Sequence, residues 1–150
     1  MVTVRTATSA DSNGWLQLRC ALWPDCSEAE HREEIDRFFA GRFPREPWAV
    51  LLAKSAEHGV IGLAELSIRP YAEGCRTRRV AYLEGWFVLP EARGRGVGQA
   101  LVLTAEKWGR AQGCTELASD SQPENEFSYA AHRALGFDDV GMVRCFRKDL

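Results

Sequence analysis

Two acidic side chains and one glycine-rich loop are the parts of this chain best suited to chemistry. Glu84 lies inside the otherwise apolar run Val80-Ala81-Tyr82-Leu83-Glu84-Gly85-Trp86. Read as a strand with alternating faces, that run puts Glu84 on one face with Tyr82 and Trp86. Asp120 follows the short stretch Thr115–Ser119, at the carboxyl end of a second strand. In open sheets that contain parallel strands, such ends line the ligand crevice. Taken singly, Glu84 reads as a salt-bridge partner, and Asp120 or Ser121 as a helix cap. Two acids converging on one gap make a cation site, able to bind an ammonium group and accept its proton.

The loop follows Glu84 directly. Leu89-Pro90 turns the chain into Arg93-Gly94-Arg95-Gly96-Val97-Gly98-Gln99, and a helical pattern runs on through Trp108. A glycine-rich turn feeding a helix N-terminus presents several unpaired N–H groups in one direction, and the helix dipole adds positive character there. Arg93 and Arg95 add full charges. The chemistry is that of a phosphate or pyrophosphate seat. No Lys-Ser or Lys-Thr follows the glycines, so it is not a P-loop, and the spacing is not the dinucleotide fingerprint. Trp23 and Tyr71 read as core and surface residues respectively, or as rings that stack on a sugar or a cation.

Those side chains need a scaffold, and the chain's 150 residues suit one domain with one core over 1–150. The net charge of -2 gives no basic field for nucleic acid. The longest apolar runs are too short to span a membrane, and no basic amphipathic helix points to a membrane surface. The N-terminal residues lack a signal-peptide pattern, so a cytoplasmic location is expected. Five cysteines without C-x-x-C spacing are expected to be reduced, and the scattered His31, His58 and His132 form no metal-ligand pattern. No metal is expected.

Hydrophobic periodicity predicts a strand at Val2–Ala7 and a helix from Ser9 or Asp11 to about Trp23, stopped by Pro24. Ser27-Glu28-Ala29-Glu30 has capping-box form and opens a helix to about Ala40, ended by Gly41 and Pro44. Strands at Trp48–Ala53 and Val60–Ile68 form a hairpin, with Gly62 marking a bulge. Val80–Leu89 is the longest strand. A helix spans about Gly98–Gln112, a strand Cys114–Ser119, a helix opened by Pro123 runs to about Leu135, and a last strand covers Val140–Lys148. This order predicts an α/β (α+β) fold, a mixed sheet with helices on both faces.

The spacing Arg93-x-x-Gly96-x-Gly98 after a long strand resembles the acyl-CoA signature, Q/R-x-x-G-x-G/A, of the Gcn5-related N-acetyltransferases, the GNAT superfamily. Asn125 and the run Ala134-Leu135-Gly136-Phe137 resemble that superfamily's second cofactor segment. The resemblance implies a mostly antiparallel central sheet flanked by helices and splayed between the fourth and fifth strands. Acetyl-CoA would lie in the gap. Its pyrophosphate would sit on the N–H groups of Arg95 to Gln99, its pantetheine arm along Trp86–Val88, and its thioester oxygen on the Val88 amide.

Four further segments are similar to one branch of the superfamily, the aminoglycoside 6'-N-acetyltransferases. They are Leu22-Trp23-Pro24, Ser67-Ile68-Arg69, Leu83-Glu84-Gly85 with Phe87-Val88-Leu89-Pro90, and Ala118-Ser119-Asp120 with Pro123-Glu124-Asn125. The likeness implies that Trp23, Tyr71, Glu84 and Asp120 contact the aminoglycoside. It implies that Trp86, Phe87, Val88, the loop Arg93, Gly94, Arg95, Gly96, Val97, Gly98 and Gln99, and Asn125 contact acetyl-CoA. Transfer would be direct, with Glu84 the first candidate base and Asp120 the second, and the enzyme would be a homodimer. Alternative acceptors are a polyamine, a protein N-terminus or a lysine, and a non-catalytic CoA-binding module is a third reading. The chain departs from the branch's pattern in two places: the loop before Tyr71 is a residue shorter, and Gly141 stands where an acidic contact is expected. It also departs from the superfamily, because His132 occupies a position where many members carry a tyrosine that protonates the leaving thiolate. Tyr129 lies one turn earlier, and neither residue is assigned a role.

Overall fold

The structure of the protein is a computed structural model that describes residues 1–41 and 47–150. The expected helix stop at Pro44 lies outside the described residues. Five strands form one sheet in the order β1-β2-β3-β4-β5: β1 (Val2–Thr6), β2 (Ala49–Ser55), β3 (Gly59–Arg69), β4 (Val80–Val88) and β5 (Leu117–Ser119). Every neighbouring pair is antiparallel except β4 and β5, which run parallel.

Helices cover both faces because the central strands are apolar on both. In β2, Val50 and Leu52 pack with Trp15 and Leu18 of α1 (Ser12–Leu22) and Ile35 and Phe38 of α2 (Glu28–Ala40). Their neighbours Leu51 and Ala53 face the other way, onto Val97, Leu101, Val102 and Ala105 of α3 (Val97–Ala111). The strand period of two and the helix stripe at i, i+4, i+8 thus meet in two layers of core.

Local signals explain most element ends. Ser27 Oγ accepts from the Glu30 amide at 3.1 Å, and Gly41 leaves α2 with φ +69°. A short 3₁₀ turn at Ser9–Asp11 precedes α1, and Asp11 is buried there on Arg5 and Lys54. The expected bulge near Gly62 is present: register shifts where Ala53 faces Gly62 and Lys54 faces Val60.

Two expectations are corrected. The helix foreseen from Pro123 begins later, as α4 (Glu126–Ala134), because Asn125 caps it by accepting from the Ser128 amide at 3.0 Å. The strand foreseen at Val140–Lys148 joins no ladder among the described residues. Val140, Met142, Val143 and Phe146 are exposed rather than covered. A strand pattern needs a partner edge, and this segment has none among the described residues.

Candidate active site

The site is built where β4 and β5 part. Their ladder runs Ala81↔Leu117, Tyr82↔Ala118 and Leu83↔Ser119, then stops, while β4 continues to Val88. On its other side β4 remains paired with β3 through Gly62↔Val88. Leu89 N–H donates to Ile61 C=O at 2.9 Å, so the Gly62↔Val88 pair is of the non-hydrogen-bonded kind. The amides and carbonyls of Val88, and two residues back of Trp86, therefore point away from β3 into the gap that β5 has left. A single strand edge thus offers backbone donors and acceptors to an extended ligand.

Glu84 sits at a second bulge. Leu66 faces Leu83 and Glu65 faces Gly85, so Glu84 is the extra residue of β4. The bulge reverses the alternation beyond it. Glu84 does share the side of Tyr82, since both meet Arg69, but Trp86 packs on the α3 face with Leu83. The expected common face of Glu84 and Trp86 is corrected accordingly. Glu84 Oε1 accepts from Ser67 Oγ and from Arg69 Nε at 2.8 Å, and Oε2 accepts from Arg69 Nη2 at 2.6 Å. The Arg69 guanidinium lies 3.6 Å over the Tyr82 ring, and the Tyr82 hydroxyl donates to Asp120 Oδ2. Burial, and then the bond to Asp120, hold the Tyr82 phenol well above its ordinary pKa, so it acts as a donor and not a base.

The sheet therefore joins Glu84 and Asp120 through one cation and one phenol. Two carboxylates against one guanidinium leave the cluster with one negative charge in excess, which a substrate ammonium would balance. Asp120 Oδ1 has no hydrogen-bond partner among the described residues, whereas Glu84 already receives three donors.

Trp23 walls the same region. It caps the end of α1, its amide bonded to Arg19 C=O, and its ring stacks near His31 with an interplanar angle of 24°. A Cβ on Gly85 would lie 2.7 Å from Trp23 Cη2, so the glycine next to Glu84 is what admits the ring. Beneath it Arg19 binds Glu65, which also accepts from Trp15 Nε1 at 2.9 Å. Burial pushes the Glu65 carboxyl up, against the pull of Arg19 and Trp15.

The loop residues stand beyond the far end of β4. Gly94 and Gly96 have φ of +77° and +79°, with open space where side chains would be. The first turn of α3, at Val97, Gly98 and Gln99, has amides without an intrahelical acceptor. Arg95 is exposed, but Arg93 folds back, its Nε donating to Val88 C=O at 2.8 Å and its guanidinium lying 5.4 Å from the Phe87 ring. Trp86 Nε1 donates to Gly98 C=O, and a Cβ on Gly98 would crowd that indole at 3.2 Å. The Trp86 side chain thus braces the loop, while its backbone faces the gap. Phe87 faces the α1–α2 layer. Tyr71 is exposed, and its hydroxyl donates to Glu73.

Sequence reasoning missed Ser67, Arg69 and Tyr82 as site members. They meet Glu84 and Asp120 across strands, so the signal was Ser67-x-Arg69 on a strand facing Tyr82-x-Glu84, visible once the register is known.

Comparisons with known proteins match this geometry. The model of the acetyltransferase (GNAT) family covers residues 15–137. An aminoglycoside N(6')-acetyltransferase type 1 of Klebsiella aerogenes is 54% identical over 147 residues, covering 98% of this chain and 96% of that protein. One from Stenotrophomonas maltophilia is 42% identical over 99% of this chain and 94% of its own length. The solved structure of AAC(6')-Iy with the bisubstrate analogue CoA-S-monomethyl-acetylneamine superposes with a TM-score of 0.91, at 35% identity, covering 100% of this chain and 99% of that one. The parted strands, the glycine loop at a helix start and the matched span agree, and the chain belongs to the acetyltransferase (GNAT) family.

Proposed function

We propose that the protein is an acetyl-CoA-dependent aminoglycoside 6'-N-acetyltransferase that works by direct transfer and confers resistance to these antibiotics. The observation that carries the reading is the pairing of a β4 edge that β5 leaves unpaired at Trp86–Val88 with an under-balanced carboxylate pair, Glu84 and Asp120, at the same opening. The edge suits an amide-bearing pantetheine arm, and the acids suit a polycationic aminosugar. Full-length relatives carrying that activity in their names support the choice of acceptor.

In this reading the open backbone of Gly94 and Gly96 and the first-turn amides through Gln99 seat the pyrophosphate of acetyl-CoA. Asn125, the cap of α4, adds its side-chain N–H₂. The Val88 amide holds the thioester oxygen as negative charge develops on it. Trp23 and Tyr71 border the sugar rings, and Glu84 anchors an ammonium through its remaining lone pairs. The amine must shed a proton to attack. Asp120, with an unoccupied oxygen, takes that proton directly or through water, ahead of Glu84, whose charge Arg69 already answers. The amine nitrogen bonds to the acetyl carbon, the C–S bond breaks, and CoA leaves as the thiol. The product amide is neutral, so the drug loses one of the charges that bind its target.

We also infer a cytoplasmic homodimer. Residues 138–150 form no helix or strand and expose apolar side chains, and β5 is an edge strand of the sheet. An exposed apolar segment and an edge strand are features that two copies of a chain cover in one another. Sedimentation gives the test, with a monomer at micromolar concentration as the contrary result. The activity is tested by thiol release from acetyl-CoA with kanamycin or tobramycin. Glu84→Ala and Asp120→Ala are expected to lower it strongly, and full activity in both overturns the site assignment.

A further inference from the structure

Arg69 is a fixed cation set inside an acceptor site that otherwise attracts cations, and its only part so far is to answer the charge of Glu84. It ends β3, level with Val80. Its Nε and Nη2 hold the two oxygens of Glu84 at 2.8 and 2.6 Å, a bidentate fork that a lysine cannot make. Its guanidinium lies 3.6 Å over the Tyr82 ring, whose hydroxyl reaches on to Asp120. Fork and stack together fix the guanidinium plane. Nη1 is left over. It has no hydrogen-bond partner among the described residues, and the side chain is 41% exposed. A rigid charge with spare N–H donors thus stands in the chain of groups that joins the two acids, open to solvent.

We propose that Arg69 is the specificity-determining residue of the acceptor site: Nη1 donates to a hydroxyl or ring oxygen of the aminosugar, and the guanidinium charge turns away amines that carry no such oxygen. The inference rests on the acetyltransfer reading above and says how the site chooses among amines. An aminosugar interleaves ammonium groups with hydroxyl, ring and glycosidic oxygens. It can set an ammonium on the open oxygen of Asp120 and an oxygen against Nη1 at once. A polyamine offers only ammonium groups on short methylene chains. With one ammonium on Asp120, it presents methylenes or a second ammonium to Arg69. Methylenes strip Nη1 of water without replacing the hydrogen bond, and a second ammonium meets a like charge. A lysine side chain brings methylenes alone. The acids attract any cation, so the choice between cations falls to the group beside them that repels cations.

Arg69 does not swing aside cheaply. Leaving Glu84 breaks two charge-assisted bonds, and leaving Tyr82 forfeits a cation–π contact. A lysine here keeps the charge but neither the fork nor the stack, while a glutamine keeps an N–H donor but no charge. The two substitutions therefore separate the oxygen contact from the repulsion.

The test is thiol release from acetyl-CoA with kanamycin and with spermidine, for wild type, Arg69→Gln and Arg69→Lys, with Tm and the KM for acetyl-CoA measured alongside. Wild type is expected to favour kanamycin in kcat/KM by about 1,000-fold or more. Arg69→Gln should narrow that preference by about 30-fold or more, with kcat/KM for spermidine rising as its KM falls. Arg69→Lys should lose about tenfold or more on kanamycin and still exclude spermidine. In both variants the KM for acetyl-CoA should stay within about threefold of wild type, since that site is separate. The assignment is overturned by a wild type that takes both acceptors within about tenfold of each other, or by a preference within about threefold of wild type in Arg69→Gln. Unchanged kanamycin turnover in Arg69→Lys overturns it as well. So does a loss shared equally by both acceptors, which is the mark of a merely structural role. A wild-type protein that transfers no acetyl group to any amine overturns instead the function on which the assignment rests.

Discussion

Gly85→Ala adds one methyl group next to Glu84, at the junction of the two proposed substrate regions. The new Cβ would stand 2.7 Å from Trp23 Cη2, 2.9 Å from Cζ2 and 3.1 Å from Leu22 Cδ2. Carbon atoms rest at about 3.5–4.0 Å, so the indole must move by roughly 1 Å. It is not free to do so cheaply. His31 stacks near it and donates from Nε2 to Trp23 C=O at 3.0 Å, and the Arg19 guanidinium lies 5.1 Å from its ring. Overpacking of this kind costs about 1–3 kcal/mol. For a chain of this size that lowers Tm by roughly 2–4 °C per kcal/mol. A shift of about 1 Å in a group that positions substrate lowers turnover by up to about 100-fold. The expected result is a kcat/KM for kanamycin reduced about 10- to 100-fold, with KM for acetyl-CoA within about twofold of wild type. The assay is thiol release with each substrate varied in turn. An unchanged kcat/KM for kanamycin at a lowered Tm would remove Trp23 from the acceptor wall. An unchanged Tm as well would refute the packing argument.

Three further outcomes follow from other parts of the molecule. Gly96→Ala forces a side chain onto a backbone at φ +79°, at a cost of about 1–2 kcal/mol; CoA affinity measured by calorimetry should fall about tenfold while KM for the aminoglycoside holds, and unchanged CoA affinity contradicts the phosphate seat. Arg19→Met leaves Glu65 buried against Trp15 alone and should cost about 3–5 kcal/mol in urea unfolding, with a loss under about 1 kcal/mol as the contrary result. Asp11 is held well below the usual carboxylate range, chiefly by its hydrogen bond from Arg5 and despite burial. Because its folded value is depressed, the stability it adds is complete above its unfolded value of about 3.9 and is lost as pH falls below that. Tm should drop between pH 5 and pH 3 (roughly one unit either side of that value) more steeply in wild type than in Asp11→Asn, and equal slopes would refute the assignment.

The features legible in the sequence were those whose cause is local. Ser27 and Glu30 cap α2 across a single turn, and Gly94, Gly96 and Gly98 mark the loop by their own backbone freedom. Both are visible in a few consecutive residues. Glu84 was found by its type, but its surroundings were not, because a bulge at Glu84 reverses the faces of β4 beyond it. Alternation alone therefore put Trp86 on the wrong side. Arg69 and Ser67 reach Glu84 through the β3–β4 register, and no periodicity in either strand reports a register. Pro123 carried a helix-start signal that Asn125 outcompeted with an actual cap. The tail at Val140–Lys148 reads as a strand by its residue types, but no ladder among the described residues takes it up, and local sequence does not report a missing partner edge.

Acetyl transfer from acetyl-CoA to one amine of an aminosugar, proposed to be held by Glu84 and Asp120, is tested most directly by comparing an aminoglycoside that carries an amine at the 6' position with one that carries a hydroxyl there. Thiol release is followed, and the product is mapped by NMR. The account predicts one thiol released for each amide formed at the 6' nitrogen of the first, and none with the second. Equal thiol release with both, acetylation at another nitrogen, or no release with either would contradict it.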